Sequence, residues 1–207
     1  MTIRAALFDF SGTLFRLEHP ELESNADLMR ALTSPVGLAE GVDPELADAW
    51  HRRDLDTDVH RWVHVKVLND ALVPNAEAFY EQLLDPESWQ PYPDTRATLE
   101  HLKDVPLAVV SNIGWDIRPI FERHGLTHLV DEFVLSYEEG VIKPDPKIFT
   151  TACERLGVDP RNAVMVGDSQ EADGGAEAIG CSFRLVNPVP TSDRPDALLD
   201  VARTIPV

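Results

Sequence analysis

The sequence predicts an α/β fold, in which a parallel β-sheet flanked by helices carries an inserted α-helical cap. Two observations support this prediction. A short apolar run near the N-terminus and further runs after residue 90, separated by helical patterns, are typical of strands that alternate with helices. Residues 16–90 contain acidic, Leu/Ala/Val-rich segments without a convincing strand. We therefore expect a sheet domain formed by residues 1–15 and 91–207, and a helical cap formed by residues 16–90.

Five short apolar runs are the predicted strands. Such brief runs, bounded by turn residues, favour buried strands over helices. In chain order they are Ala5–Phe10, Leu107–Val110, Phe133–Leu135, Ala163–Val166 and Phe183–Val186. Because strands that alternate with helices pair in parallel through right-handed crossovers, we expect these five to form one sheet.

Helical patterns separate the later strands and fill the cap. In the sheet domain they begin at Thr95 and reach about Lys103, then cover Trp115–His124 and Pro146–Leu156. Asp145 precedes the last of these as an expected N-cap, with Pro146 at the first helical position. In the cap the predicted helices are Ala26–Leu32, Pro44–Arg53, Val59–Leu72 and Ala76–Leu84.

Composition excludes several classes of partner. The chain has 207 residues, and 36 Asp and Glu against 18 Lys and Arg give a net charge of −18. That charge opposes extended binding to nucleic acid or to an anionic membrane. Cys153 and Cys181 form no C-x-x-C pattern, so no disulfide framework or zinc site is expected. The sequence shows no secretory signal and no apolar stretch of about 20 residues, so we expect a cytoplasmic protein. We expect it to be a monomer or a homodimer.

Polar residues follow four of the predicted elements where a ligand crevice is expected. The carboxyl ends of parallel strands meet at one edge of a sheet, so these side chains should lie together. They are Asp9, then Ser111 with Asn112, then Lys143, and finally Asp168 with Asp173. This combination of a carboxylate, a hydroxyl, an ammonium group and further carboxylates indicates a phosphoryl-transfer site.

Each of these residues has an expected role. Asp9 would attack phosphorus as a nucleophile and form an aspartyl-phosphate, which divides one difficult step into two easier ones. Ser111 would donate a hydrogen bond to a phosphoryl oxygen, and Lys143 would neutralise negative charge on the phosphate and on Asp9.

A metal ion follows from the charge of the predicted site. Asp9, Asp168 and Asp173 would repel one another and a phosphate unless a cation lay among them, and their hard oxygens suit Mg²⁺. Asp9 and Asp168 are the expected direct ligands, and Asp173 could bind through water. Asp173 alone could instead be a carboxylate at a helix N-terminus.

Four segments together resemble the motifs of the haloacid dehalogenase superfamily, in the same order and over nearly the whole chain. They are Asp9–Thr13 (DFSGT), Val110–Asn112 (VSN), Lys143–Pro146 (KPDP), and Gly167–Ser169 (GDS) followed by Asp173. The resemblance is to the branch with a helical cap after the first motif. It implies a Rossmann-like core, an aspartyl-enzyme intermediate and Mg²⁺-dependent hydrolysis of a small phosphorylated metabolite. It also implies that the main-chain carbonyl of Ser11 ligates the metal, and we assign Ser11, Gly12, Thr13 and Asn112 to substrate binding.

One residue departs from that pattern. The first motif of the superfamily is D-x-D-x-T, and Ser11 replaces its second aspartate. In the phosphatases of the family this aspartate protonates the leaving oxygen, a contribution of about 10²–10⁴-fold that a serine hydroxyl cannot make near neutral pH. His60 or His64 could supply a replacement acid. The departure also leaves open a dehalogenase, in which Asp9 attacks carbon, and a regulatory protein that binds phosphate without efficient turnover.

Overall fold

The structure is a computed structural model that describes residues 2–18 and 43–205. Its strands are β1 Ala5–Phe8, β2 Phe15–Leu17, β3 Trp89–Pro91, β4 Leu107–Ser111, β5 Glu132–Leu135, β6 Ala163–Gly167 and β7 Ser182–Leu185. Its helices are α1 Pro44–Arg52, α2 Thr57–Asp70, α3 Ala76–Leu84, α4 Thr95–His101, α5 Arg118–Arg123, α6 Ser136–Glu139, α7 Pro146–Arg155 and α8 Ala197–Ala202. The predicted helix Ala26–Leu32 lies outside the described residues.

A five-stranded parallel sheet forms the centre of the molecule, as predicted. Its strand order is β5-β4-β1-β6-β7, so β1 pairs with β4 on one side and with β6 on the other. All four residues of β1 are buried, and its alternate side chains enter two different apolar clusters. Leu7 packs in the cluster that contains Phe149 of α7, while Phe8 packs in the cluster that contains Phe121 of α5. Burial on both faces explains why these strands are apolar throughout rather than alternating.

The predicted strand boundaries agree with the structure to within two residues. The largest difference is at β1, which ends at Phe8 rather than at Phe10. Here the chain turns, because the carbonyl of Phe10 accepts hydrogen bonds from the main-chain N–H groups of Leu14 (3.0 Å) and Phe15 (2.9 Å). The turn directs the residues after Asp9 away from the sheet.

Helices α1, α2 and α3 lie between β2 and β3 and pack around a separate apolar cluster that includes Trp50, Leu68 and Tyr80. The sequence predicted α3 at its observed boundaries. It placed the start of α2 at Val59, but the side chain of Asp56 accepts from Asp58 N and Val59 N and so starts this helix at Thr57.

Four elements were missed by the sequence prediction: β2, β3, α6 and α8. β2 and β3 pair antiparallel, with Leu17 opposite Trp89, and thereby join the two ends of the segment that carries α1–α3. α8 begins where the side chain of Asp94 accepts hydrogen bonds from Leu198 N at 2.7 Å and Leu199 N at 3.0 Å.

Within residues 2–18 and 43–205, no helix combines the length and the apolar character that crossing a bilayer requires.

Candidate active site

Three polar residues follow adjacent strands of the sheet at its carboxyl edge. Asp9 follows β1, Ser111 ends β4 and Asp168 follows β6. The register brings these positions side by side, because Phe8 pairs with both Val109 and Val166. The structure therefore brings these three side chains together at one edge of the sheet, as the sequence predicted.

Lys143 lies between two carboxylates of this edge. Its Nζ donates to Asp9 Oδ1 and to Asp173 Oδ1, each at 2.6 Å, and the whole side chain is buried. Burial alone would lower the pKa of Lys143, but the charges of Asp173 and Asp9 outweigh it and raise that pKa above its usual value. The group therefore stays positively charged at any physiological pH.

The main chain of Lys143 is fixed by Asn112. The Asn112 side-chain amide donates to Lys143 O at 3.0 Å, and Lys143 N donates to Asn112 Oδ1 at 2.6 Å. Asn112, which the sequence assigned to substrate binding, thus also holds the lysine loop against the end of β4. It lines the adjoining cavity as well, so its predicted contact with substrate stays a prediction.

Asp9, Asp168 and Asp173 form a compact carboxylate cluster. One oxygen from each lies within 4.8 Å of the others. Burial raises the pKa of Asp9 to about 6, with Lys143 opposing the shift and Asp173 adding to it. Burial, followed by the charges of Asp9 and Asp173, raises the pKa of Asp168 to about 7. With all three ionised, the one ammonium of Lys143 leaves an excess of two negative charges, which is the charge and donor set that suits a divalent cation such as Mg²⁺.

The turn after Asp9 depends on Gly12. Its φ of +79° lies in the left-handed region, and a Cβ placed on it would come within 2.3 Å of Asp168 Oδ2. The turn can therefore pack closely against Asp168 only with glycine at this position. Thr13 follows as a fully buried residue, and its Oγ1 donates to Asp9 Oδ2 at 3.4 Å, while Ser111 Oγ donates to Asp9 Oδ1 at the same distance.

Arg194 supports this turn and was missed by the sequence analysis. Its buried guanidinium donates to the carbonyl oxygens of Gly12 (2.7 Å), Thr13 and Asn187 (3.0 Å). It also stacks on Tyr92, with Cζ 3.2 Å from the ring centroid. Since a single arginine in a loop far along the chain carries no motif, only the fold reveals that it positions the residues after Asp9.

A cavity of about 110 Å³ adjoins this edge of the sheet, between it and the helices α1–α3. Its lining includes Ser11, Asn112 and Trp115 from the sheet side, and Arg53, Asp54, His60 and His64 from the helical segment. Ser11 therefore lines this cavity, while its expected contact with substrate and its expected role as a main-chain metal ligand stay predictions.

The two histidines proposed as replacement acids are buried side by side. The ring centroids of His60 and His64 are 4.0 Å apart. His60 Nδ1 is hydrogen-bonded to the Tyr80 hydroxyl at 2.8 Å, and His64 Nδ1 to the carbonyl of His60 at 2.7 Å. Burial, with additional repulsion from His64 and Arg53, lowers the pKa of His60 well below its usual 6.5. His60 is therefore neutral near pH 7 and is a poor proton donor there.

The same shift predicts how stability depends on pH. Below pH 6.5 the unfolded chain takes up a proton on His60 that the folded protein does not, so His60 lowers the free energy of unfolding as the pH falls. We expect the wild type to lose stability relative to His60→Asn between pH 7.5 and pH 5.5, by up to about 1.4 kcal/mol. Urea denaturation at both pH values measures this difference, with the exposed His51→Asn as control. An unchanged difference would contradict the neutral state of buried His60.

Comparisons with known proteins give a family match and similar relatives. A model of a protein family described as "haloacid dehalogenase-like hydrolase" matches residues 3–180. The chain is 29% identical to a glyceraldehyde 3-phosphate phosphatase of Methanopyrus kandleri, with 98% of each chain covered. It is 27% identical to (S)-2-haloacid dehalogenase 4A of Burkholderia cepacia, over 90% of this chain and 84% of the relative. The crystal structure of a HAD phosphatase from Thermococcus onnurineus superimposes with a TM-score of 0.61 at 30% identity, covering 89% of this chain and 86% of the other.

Proposed function

Because the chain belongs to the haloacid dehalogenase-like hydrolase family, we propose that it is a Mg²⁺-dependent phosphatase acting on a small phosphorylated metabolite through an aspartyl-phosphate on Asp9. The observation that carries the proposal is the placement of Lys143 between Asp9 and Asp173, with Asp168 in the same carboxylate cluster. A buried nucleophile beside fixed positive charge is what phosphoryl transfer requires.

In the first step, an oxygen of Asp9 forms a bond to phosphorus while the bond from phosphorus to the ester oxygen breaks. The hydroxyl of Ser111 and the ammonium of Lys143 both lie beside Asp9, where they would contact the oxygens of the phosphoryl group. In the second step, water attacks phosphorus and releases Asp9 as a carboxylate. Splitting hydrolysis in this way gives two barriers that are each lower than the barrier to direct attack.

Asp9 and Asp168 are the proposed direct ligands of Mg²⁺, with the Ser11 carbonyl as a further ligand and Asp173 bound through water. Bound there, Mg²⁺ would offset the charge that the carboxylates and the phosphate bring together. The proposal includes the division into a sheet domain, residues 1–15 and 91–207, and a cap, residues 16–90, that excludes water from the reacting phosphate.

A dehalogenase is the second candidate, supported by the similarity to the Burkholderia cepacia enzyme. In that reaction Asp9 would attack carbon and displace halide, so no second aspartate in place of Ser11 would be needed. The carboxylate cluster favours the phosphatase. Asp168 and Asp173 beside Asp9 repel an anionic substrate unless a cation offsets their charge, and attack on a haloacid carbon does not depend on a cation.

Metal removal distinguishes the two candidates. We expect protein treated with EDTA and desalted to lose hydrolysis across a panel of phosphate monoesters and to regain it with Mg²⁺. Mg²⁺ alone should also raise the melting temperature, because a ligand that binds only the folded state stabilises it. In Asp168→Asn the shift in melting temperature should shrink, whereas the exposed Asp104→Asn should leave it unchanged.

Turnover of 2-chloropropionate that is insensitive to EDTA, with no phosphatase activity, would favour the dehalogenase. Phosphate binding with no turnover of either substrate class would favour a regulatory protein.

A further inference from the structure

The proposed phosphatase needs a proton donor that Ser11 cannot be. When an alkyl phosphate is cleaved, the ester oxygen leaves as a strongly basic alkoxide unless an acid protonates it. His60 is neutral near pH 7 because burial lowers its pKa. Among the described residues, the carboxylic acid side chain that lines the cavity is Asp54.

Asp54 reaches the cavity from the helical segment. It lies in the 3₁₀ turn Arg53–Leu55 between α1 and α2, and its side chain is only 16% exposed. It lines the same cavity as Ser11, opposite the edge of the sheet that carries Asp9. A leaving group that extends into this cavity would meet Asp54 rather than Asp9, which is not among the lining residues.

Contacts with the sheet domain fix the position of this turn. The hydroxyl of Ser136 donates to the carbonyl of Asp54 at 2.5 Å and accepts from Ile113 N at 2.9 Å. Gly114 packs so closely against α2 that a Cβ on it would lie 2.6 Å from His60 Cβ. The turn that carries Asp54 is therefore held against the loop that follows Ser111.

The charges around Asp54 suit an acid that both releases and recovers a proton. Burial raises the pKa of Asp54, while the positive charges of Arg53 and Lys143 act against that rise. The Arg53 guanidinium is 3.6 Å from Asp54 Oδ2 and also stacks on Trp50, with Cζ 4.4 Å from the ring centroid. These neighbours keep the ionised form accessible, so the residue can cycle between its two states.

We propose that Asp54 is the general acid and base of this phosphatase and replaces the aspartate that is missing at position 11. The inference rests on the proposed function. As the bond between phosphorus and the ester oxygen breaks, its electron pair moves to that oxygen, which takes the proton of the Asp54 carboxyl and leaves as an alcohol. In the second step a water oxygen bonds to phosphorus, its proton passes to the Asp54 carboxylate, and Asp9 is released.

The test compares two substrates that differ in their need for a proton. Glycerol phosphate has a strongly basic leaving group, whereas p-nitrophenyl phosphate has a leaving group that departs without protonation. Asp54→Asn should lower kcat/KM for glycerol phosphate by about 10²-fold or more and leave kcat/KM for p-nitrophenyl phosphate close to wild type, because this ratio reports the first step and not the later attack of water, in which Asp54 is the base. Asp58→Asn, an exposed change of the same kind in the same segment, should alter neither.

The outcomes separate this inference from the proposed function. Retained p-nitrophenyl phosphate activity in Asp54→Asn would itself show that the variant is folded. Equal losses of kcat/KM on both esters, or no loss of kcat/KM on glycerol phosphate, would overturn the role of Asp54 as the acid while leaving the phosphatase proposal intact. A wild-type protein that hydrolyses no phosphate monoester would overturn both.

Discussion

Asp9→Asn is expected to abolish turnover, with a loss of about 10⁴-fold or more in kcat. The asparagine amide cannot form the acyl-phosphate that the proposed mechanism requires. Its side chain has the same shape, so Lys143 can still donate to Oδ1 and to Asp173. Because the change removes a buried carboxylate whose pKa is raised to about 6, we expect little or no loss of thermal stability.

Activity on p-nitrophenyl phosphate and a thermal melt, measured on the same preparation, check this expectation. Asp104→Asn is a suitable control, because Asp104 is exposed and precedes β4 at the opposite edge of the sheet from Asp9. Mass spectrometry must exclude deamidation of the new asparagine to aspartate. Undiminished turnover in verified Asp9→Asn protein, free of contaminating phosphatases, would refute the aspartyl-phosphate.

The part of the site that the sequence predicted is the part that strand topology determines. Asp9, Ser111 and Asp168 were found because each follows an apolar run, and parallel strands bring their carboxyl ends to one edge. Lys143 was placed there by its motif, and the structure puts its ammonium in contact with two of the carboxylates. Local pattern and spacing suffice for residues of this kind.

The residues that were missed act through contacts that no local pattern encodes. Arg194 contacts Gly12 from 182 residues away, and Asp94 starts α8 from 104 residues away. Asp54 has no motif, and its relevance depends on the packing of the helical segment onto the loop after Ser111. β2 and β3 are three residues each, too short for a periodic signal. These features depend on tertiary structure, which explains why they emerged only from the fold.

The histidines illustrate how burial changes a reasonable expectation from sequence. An imidazole normally titrates near the working pH, which made His60 a candidate acid. In the structure its ring packs against His64 and Tyr80, and burial favours its neutral form. The same physical effect favours the protonated form of a carboxyl group, so burial in one cavity disfavours His60 as an acid and favours Asp54.

Lys143→Met is expected to damage both activity and stability. Loss of a fixed positive charge beside the phosphoryl group should lower kcat by about 10²–10³-fold. In metal-free protein the change also leaves Asp9, Asp168 and Asp173 without the ammonium that offsets their repulsion, and breaking a buried ion pair costs about 3–5 kcal/mol of unfolding free energy.

The stability loss should depend on pH in a defined direction. Without Lys143 the pKa of Asp9 in the folded protein rises further above its value in the unfolded chain, so the folded state binds the proton more tightly. Stability is then retained at low pH and lost as the pH rises, which makes the effect of Lys143→Met larger at pH 8 than at pH 5. Urea denaturation of metal-free protein at both pH values measures it, with the exposed Lys147→Met as control. If the variant were as stable as wild type at pH 8, the ammonium would not be what holds these carboxylates together.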